Sequence, residues 1–280
     1  VGTLALSAGG TSTGLITGSS GGTLELSGTH AVAGTLSGNG AVRVSGGTVS
    51  FDGALVTGGS PGLEVTGGIA EFRTGMSGPF GELGFSGGSI GGSAAGTTGP
   101  LTWTDGDMNG TGTVSVDGGQ MGNGSNTARY LRGGQTLETT GALVWAGDGT
   151  PSLIFTGTGG VLRTATAGTL DIQGDAVIAN AFGGTATLDN DGTLVKSAGV
   201  GVSSIEMTLD NSGTIDAQVG TLALSAGGTS TGLITGSPGG IVSLSGTYSL
   251  GGSLAGTGIL RIAGGTASIN GMTVSGGTPT

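Results

Sequence analysis

Val1–Ser19, VGTLALSAGGTSTGLITGS, returns letter for letter as Val219–Ser237, 218 residues further along the chain. The match continues more loosely to the C-terminal residue. Arg43 meets Arg261, Gly46-Gly47-Thr48 meets Gly264-Gly265-Thr266, Gly58-Gly59 meets Gly276-Gly277, and Pro61 meets Pro279. Residues 1–218 therefore read as one long repeat unit and 219–280 as the start of a second copy, with no linker or shift of composition between them. One continuous body over 1–280 is expected, a piece of an array that further copies of the same repeat extend. Because the chain starts and ends inside a repeat, any leader, anchor or binding head is expected outside it.

Strands are the regular structure this sequence favours. Glycine recurs every few residues and costs about 1 kcal/mol against alanine at each helical position. Short runs instead alternate with a period of two, apolar residues flanking a charge. Leu24 and Leu26 flank Glu25, Val42 and Val44 flank Arg43, Leu63 and Val65 flank Glu64, and Leu170 and Ile172 flank Asp171. Ile205, Met207 and Leu209 do the same around Glu206, and Leu260 and Ile262 around Arg261. The charges fall on the outward beat, which predicts one buried face per strand.

Between these runs stand pairs such as Gly46-Gly47, Asp52-Gly53, Asp148-Gly149 and Asp191-Gly192, the residues that tight corners need. Equivalent starts near Gly2, Gly22, Gly40, Gly62, Gly81 and Gly99 lie about twenty residues apart, and two further apolar pairs fit inside each interval. Three short strands per turn of about twenty residues describe a parallel β-helix, or β-solenoid, for which right-handed winding is expected. Spacing becomes irregular from about Gly110 to Gly160. It resumes where Leu188-Asp189-Asn190-Asp191-Gly192-Thr193 is followed twenty-one residues later by Leu209-Asp210-Asn211-Ser212-Gly213-Thr214. Stacking these in register lets Asn190 and Asn211 form an amide ladder. Some fourteen coils at about 4.8 Å each make a rod about 65 Å long, with a thin core that includes Phe85, Trp103, Trp145 and Phe155.

Composition removes several classes of role. With 69 glycines and 6 prolines in 280 residues the chain leans toward disorder, yet its mean hydropathy is +0.27 and only 9% of it is charged, the reverse of a disordered chain. Collagen is excluded because glycine does not fall at every third place. A net charge of −10 repels a phosphate backbone, so nucleic acid is not an expected partner. With no cysteine there is no disulfide framework, thiol chemistry or cysteine-based zinc site. No apolar run reaches the length of a membrane-spanning helix.

GTLALSAGGTSTG, LSGTH and LSGTY, SGGTVSFDG and the two Leu-Asp-Asn-x-Gly-Thr runs resemble the glycine-rich repeats of very large bacterial surface and secreted proteins. They are similar in style to filamentous-haemagglutinin-like adhesins and autotransporter passengers. The resemblance covers essentially the whole chain and implies an extracellular fibre, stalk or adhesin at the cell surface.

Candidate chemistry is sparse. Asp105-Gly106-Asp107-Met108-Asn109-Gly110 matches the first half of a calcium loop, with Asp105, Asp107 and Asn109 as candidate ligands, but the twelfth position is Val116 rather than glutamate. Solvent-facing corner acids are the favoured reading, so no metal or other cofactor is expected. Glu64, Glu71, Asp105, Asp107, Asp117 and Glu138 are candidate acids for polysaccharide cleavage, without a basic cluster to accompany them. His30, the single histidine, becomes Tyr248 in the second copy, which favours a surface or corner residue over a catalytic one. Thr-x-Thr pairs are spaced too unevenly for an ice-binding file. Gly157-Thr158-Gly159-Gly160 reads as a corner, and Asn109-Gly-Thr and Asn123-Gly-Ser are chance glycosylation sequons. The expectation is a non-enzymatic structural segment, open to end-to-end or lateral self-association. The alternative is a carbohydrate-binding or carbohydrate-cleaving β-helix whose groove is lined by Trp103, Arg129, Tyr130, Arg132 and Trp145.

Overall fold

The computed structural model describes residues 2–122, 127–146 and 152–275, except for the side chains of Ser152, Leu153 and Phe155. Val1, Asn123, Asp148-Gly149, Gly276-Gly277 and Pro279 lie outside the described residues, as does the Phe155 side chain. Among the described residues the regular structure is β-strand, paired in parallel, and no helix is long and apolar enough to cross a membrane.

The strands form three stacks, visited in turn. Thr3–Leu6, Gly10–Ser12 and Leu15–Gly18 open the first, second and third faces. In the next coil Thr23–Val32 covers the first two faces and Thr35–Gly38 the third. On the first face Leu4 stands beside Leu24, Leu24 beside Val42, Val42 beside Leu63, and the file runs on to Val274. It has thirteen stacking steps and hence fourteen levels, each step returning the chain to the same face. The steps are unequal: 18 residues from Leu83 to Leu101, but 27 from Leu143 to Leu170. The β-solenoid with about twenty residues per coil is thus present, and the irregular middle is where corners lengthen.

Alternation explains the core. Leu26, Val44, Val65, Phe85, Trp103, Met121, Trp145 and Ile172 form one inward file, buried from end to end. Side chains of the three faces meet in the middle: Phe51 of the second face stacks on Phe72 at 5.7 Å and meets Phe80, next to the third face, edge-on at 5.5 Å. Phe85 and Trp103 stack at 5.8 Å. Glu25 and Arg43 stand outward, in a ladder that Arg43 completes with a 2.7 Å bond to Glu64, and Arg261 is exposed. The expected amide ladder is also present. Asn190 Nδ2 donates to Asn211 Oδ1 at 2.6 Å, and Asn211 Nδ2 to Ser230 Oγ at 2.8 Å, all three residues buried.

Corners between the first and second faces close through glycine. Gly47 has φ +63°, and a Cβ there would lie 2.2 Å from the Gly28 carbonyl oxygen of the coil beneath. No other residue fits that place.

Four expectations are corrected. His30 is buried, not on the surface, because its Nε2 donates to the Leu6 carbonyl at 3.1 Å. Two charges, Arg129 and Lys196, break the outward rule and are fully buried. Ile205–Leu209 is not one strand: Val202–Ile205 ends at a corner, and Leu209 belongs to Thr208–Asn211 on the next face. Trp103, Trp145 and Arg129 point inward and line no groove.

The second copy does not fall on the faces of the first. Gly220–Leu224, the copy of the first-face strand Thr3–Leu6, stacks on Val202–Ile205 of the second face. Likewise the copy of Gly10–Ser12 stacks on Thr208–Asn211 of the third face, and that of Leu15–Gly18 on Thr214–Ala217 of the first. Identical sequence is therefore rotated by one face.

Candidate functional site

The proposed acids are dispersed by the topology. Glu64 lies on the first face against Arg43, Glu71 on the second against Arg73, and Glu138 on the third near Arg163. Asp117 sits in the turn that leads back to the first face. Asp105, Asp107 and Asn109 belong to one extended strand, Leu101–Asn109, rather than to a loop that wraps an ion. Asp105 accepts from the Gly106 amide at 2.6 Å, and Asp107 is engaged by Arg132. Among the described residues no three His, Cys, Asp or Glu side chains gather at metal-binding distance.

What the fold does assemble is a surface cluster on the second face. Arg129–Arg132 stacks on residues 106–109 in register, placing Tyr130 above Asp107 and Leu131 above Met108. Parity then turns Tyr130 and Arg132 outward, and Arg129 and Leu131 inward. Arg132 Nε bonds both Asp107 oxygens, at 3.0 and 3.1 Å, which fixes the plane of the guanidinium. The Asp107 bond is also the main reason its pKa is raised, against a smaller lowering by burial. The guanidinium carbon lies 5.5 Å from the Tyr130 ring centre and 5.1 Å from that of Phe182, and the two rings are 5.8 Å apart. Phe182 reaches this place from the corner after Ala176–Ala179 and remains 50% exposed. A planar cation set beside two rings that also touch each other, with one ring open to water, can stack on a flat ligand or an aromatic side chain.

Two buried cations support the architecture. Arg129 takes the inward position filled by Ile154 and Ile178 in the next coils, and its Nη1 donates to the Thr104 carbonyl at 3.3 Å. Lys196 stands above Ile172 in the first-face file. Its Nζ donates to the carbonyls of Gly174 and Ala198 at 2.9 and 3.1 Å, to Ser203 Oγ at 2.9 Å, and to Asp175 Oδ1 at 3.2 Å. One ammonium thus ties together the corners that follow Thr169–Gln173 and Thr193–Ala198, where the ladder shifts register between Ile172 and Gln173.

On the third face Arg163 serves Asp191 at 3.0 Å, Asp189 at 3.4 Å and Glu138 at 3.6 Å. The Ser212 hydroxyl and then Arg163 hold the Asp191 carboxyl below the usual range. Asp189 is shifted up, first by burial and then by Asp191, with Arg163 opposing and Asp210 adding to the rise.

Of the residues singled out in the sequence, Tyr130 and Arg132 come together; Phe182 and Lys196 were missed. Lys196 had a signal, since it shares the inward beat of Leu194. Phe182 had none, being a lone aromatic between Ala181 and Gly183. Comparison with protein-family models, with curated proteins and with solved structures finds no match for the chain.

Proposed function

We propose that this chain is a rigid, non-catalytic spacer segment of an extracellular repetitive fibre, stalk or adhesin. The observation that supports it is the fourteen-level parallel stack of the described residues, in which each coil's backbone is the template for the next. Such a stack resists bending and proteolysis and holds whatever it carries at a fixed distance. Further copies of the repeat are its natural neighbours in the chain, and exposed end strands allow end-to-end association unless another coil covers them. Antibodies raised against the segment should label intact producing cells; label confined to permeabilised cells would overturn the extracellular assignment.

A carbohydrate-binding reading keeps one supporting observation, the exposed Phe182 ring beside Tyr130 and Arg132. With both tryptophans inside, the ligand would be a cell-surface or matrix glycan lying flat on that cluster. A glycan array probed with the intact chain and with Phe182→Ala tests it, and binding that survives the substitution rules this site out.

A further inference from the structure

We infer that the 218-residue unit is a rotating display: each copy presents the same side chains on the next face of the rod. An array built from it therefore suits small partners arriving from all sides rather than a flat surface lying along it. On the second face ten stacking steps lead from Gly10–Ser12 to Gly220–Leu224. Thr3–Leu6 stands one face before Gly10–Ser12, so one unit advances the chain by ten coils and one further face. All three strands of the opening coil shift together in the copy, as three independent pairings show.

The rotated copy keeps a buried side-chain bond and a corner of the first. His30 bonds the Leu6 carbonyl, and Tyr248, its counterpart, bonds the carbonyl of Leu224, the counterpart of Leu6. Gly28 turns the chain from first to second face with φ +132°, while its counterpart Gly246 turns it from second to third with φ +120°. The segment carries no preference for a face. Its place is set by how many strand-and-corner modules precede it, because each module needs only one apolar stripe and one tight corner.

Asp107, Tyr130 and Arg132 lie on the second face, and Phe182 in the corner that leaves it. Where the copy begun at Val219 is continued, the same cluster comes next on the third face, about 50 Å along the rod, and then on the first. The step is about a third of a turn, added to any twist of the stack itself. A flat partner can engage it in only one unit of three, whereas a diffusible partner reaches it in every unit. None of this depends on the compartment in which the rod works.

Two measurements test the inference. Ser204 and Ala223 are in-register neighbours on the second face, and the chain has no native cysteine. Ser204→Cys with Ala223→Cys is expected to oxidise to a disulfide, adjacent parallel strands being within its reach. Val195→Cys with Ala223→Cys, the pair that would meet if the copy kept the first face, is expected to stay reduced. The reverse result overturns the rotation. In a chain of three whole units, gold-maleimide on Phe182→Cys and its two counterparts should appear in electron micrographs at about 50 Å intervals, each about a third of a turn beyond the stack's own twist from the last. Labels in a straight file, or a rod broken at each unit boundary, would sink the display.

Discussion

His30 and Tyr248 differ in size and chemistry, yet each sends one donor to the same backbone acceptor of its own copy. The position selects for a ring with a donor at its far end. Tyr248→Phe is accordingly expected to cost about 0.5–1.5 kcal/mol through the orphaned Leu224 carbonyl, and Tyr248→His less than Phe, as read from denaturant midpoints. Burial pushes the Tyr248 phenol up to about 12, only partly countered by a backbone hydrogen bond from Gly227. An unfolded tyrosine titrates near ~10, so this group's stabilisation is complete below that pH and is lost as pH rises from there through about 12. Absorbance titration of a Tyr130→Phe chain isolates that step; a phenol titrating near ~10 in the folded chain would contradict it. Lys196 poses the opposite problem, an ammonium with no exposure. Lys196→Met keeps the volume but removes the ammonium's bond to the Ala198 carbonyl and leaves the Gly174 carbonyl to the Ser203 hydroxyl, with an expected loss of about 1–3 kcal/mol. Asp175→Asn should cost much less, because the Asp175 side chain is 47% exposed and partly served by water.

At the scale of the element, short strands with one buried stripe are joined by corners, several of which only glycine closes. Gly47→Ala sets a methyl group 2.2 Å from the Gly28 oxygen in a left-handed conformation. A loss of more than about 2 kcal/mol is expected, with amide exchange accelerated first in residues 27–29 and 46–48. The third-face ladder has a pH signature. Asp191, with its depressed pKa, contributes stability above the ordinary carboxylate range, and this is lost as pH falls through its folded value. Asp189, shifted up, acts with the opposite sign and gains as it takes a proton. Asp189→Asn should therefore raise stability at neutral pH by about 0.2–1 kcal/mol, because Asp189 lies directly beside Asp210 and like charges in that relation repel. Melting from pH 3 to 7 should show a shallower acid loss for Asp191→Asn than for the parent chain.

For the whole molecule, stability is a sum over coils and their neighbours, so the middle of the stack should outlast its ends. In the 280-residue segment taken alone, amides of Thr169–Gln173 are expected to exchange at least about tenfold more slowly than those of Thr3–Leu6, which then stacks on one side only; equal protection would indicate a single cooperative block. Much of this architecture was legible in the sequence. Leucine and valine on one beat with glutamate and arginine on the other gave Glu25, Arg43 and Arg261 their outward places, and the Leu-Asp-Asn runs gave the amide ladder. The same parity, applied to Leu194-Val195-Lys196 and Arg129-Tyr130-Leu131, points both buried cations inward; counting charges as surface residues hid that. Two things could not be read. Phe182 depends on how a corner folds back over the coil below it, and the rotation of the second copy depends on how many residues each corner absorbs. That uneven absorption has a practical side. Intervals of 18 and 27 residues carry the same interior file, so length added at a bend leaves the column beneath undisturbed. The bend around Val200, already 88% exposed, is a natural socket for a grafted peptide, which the shaft would hold at one fixed height.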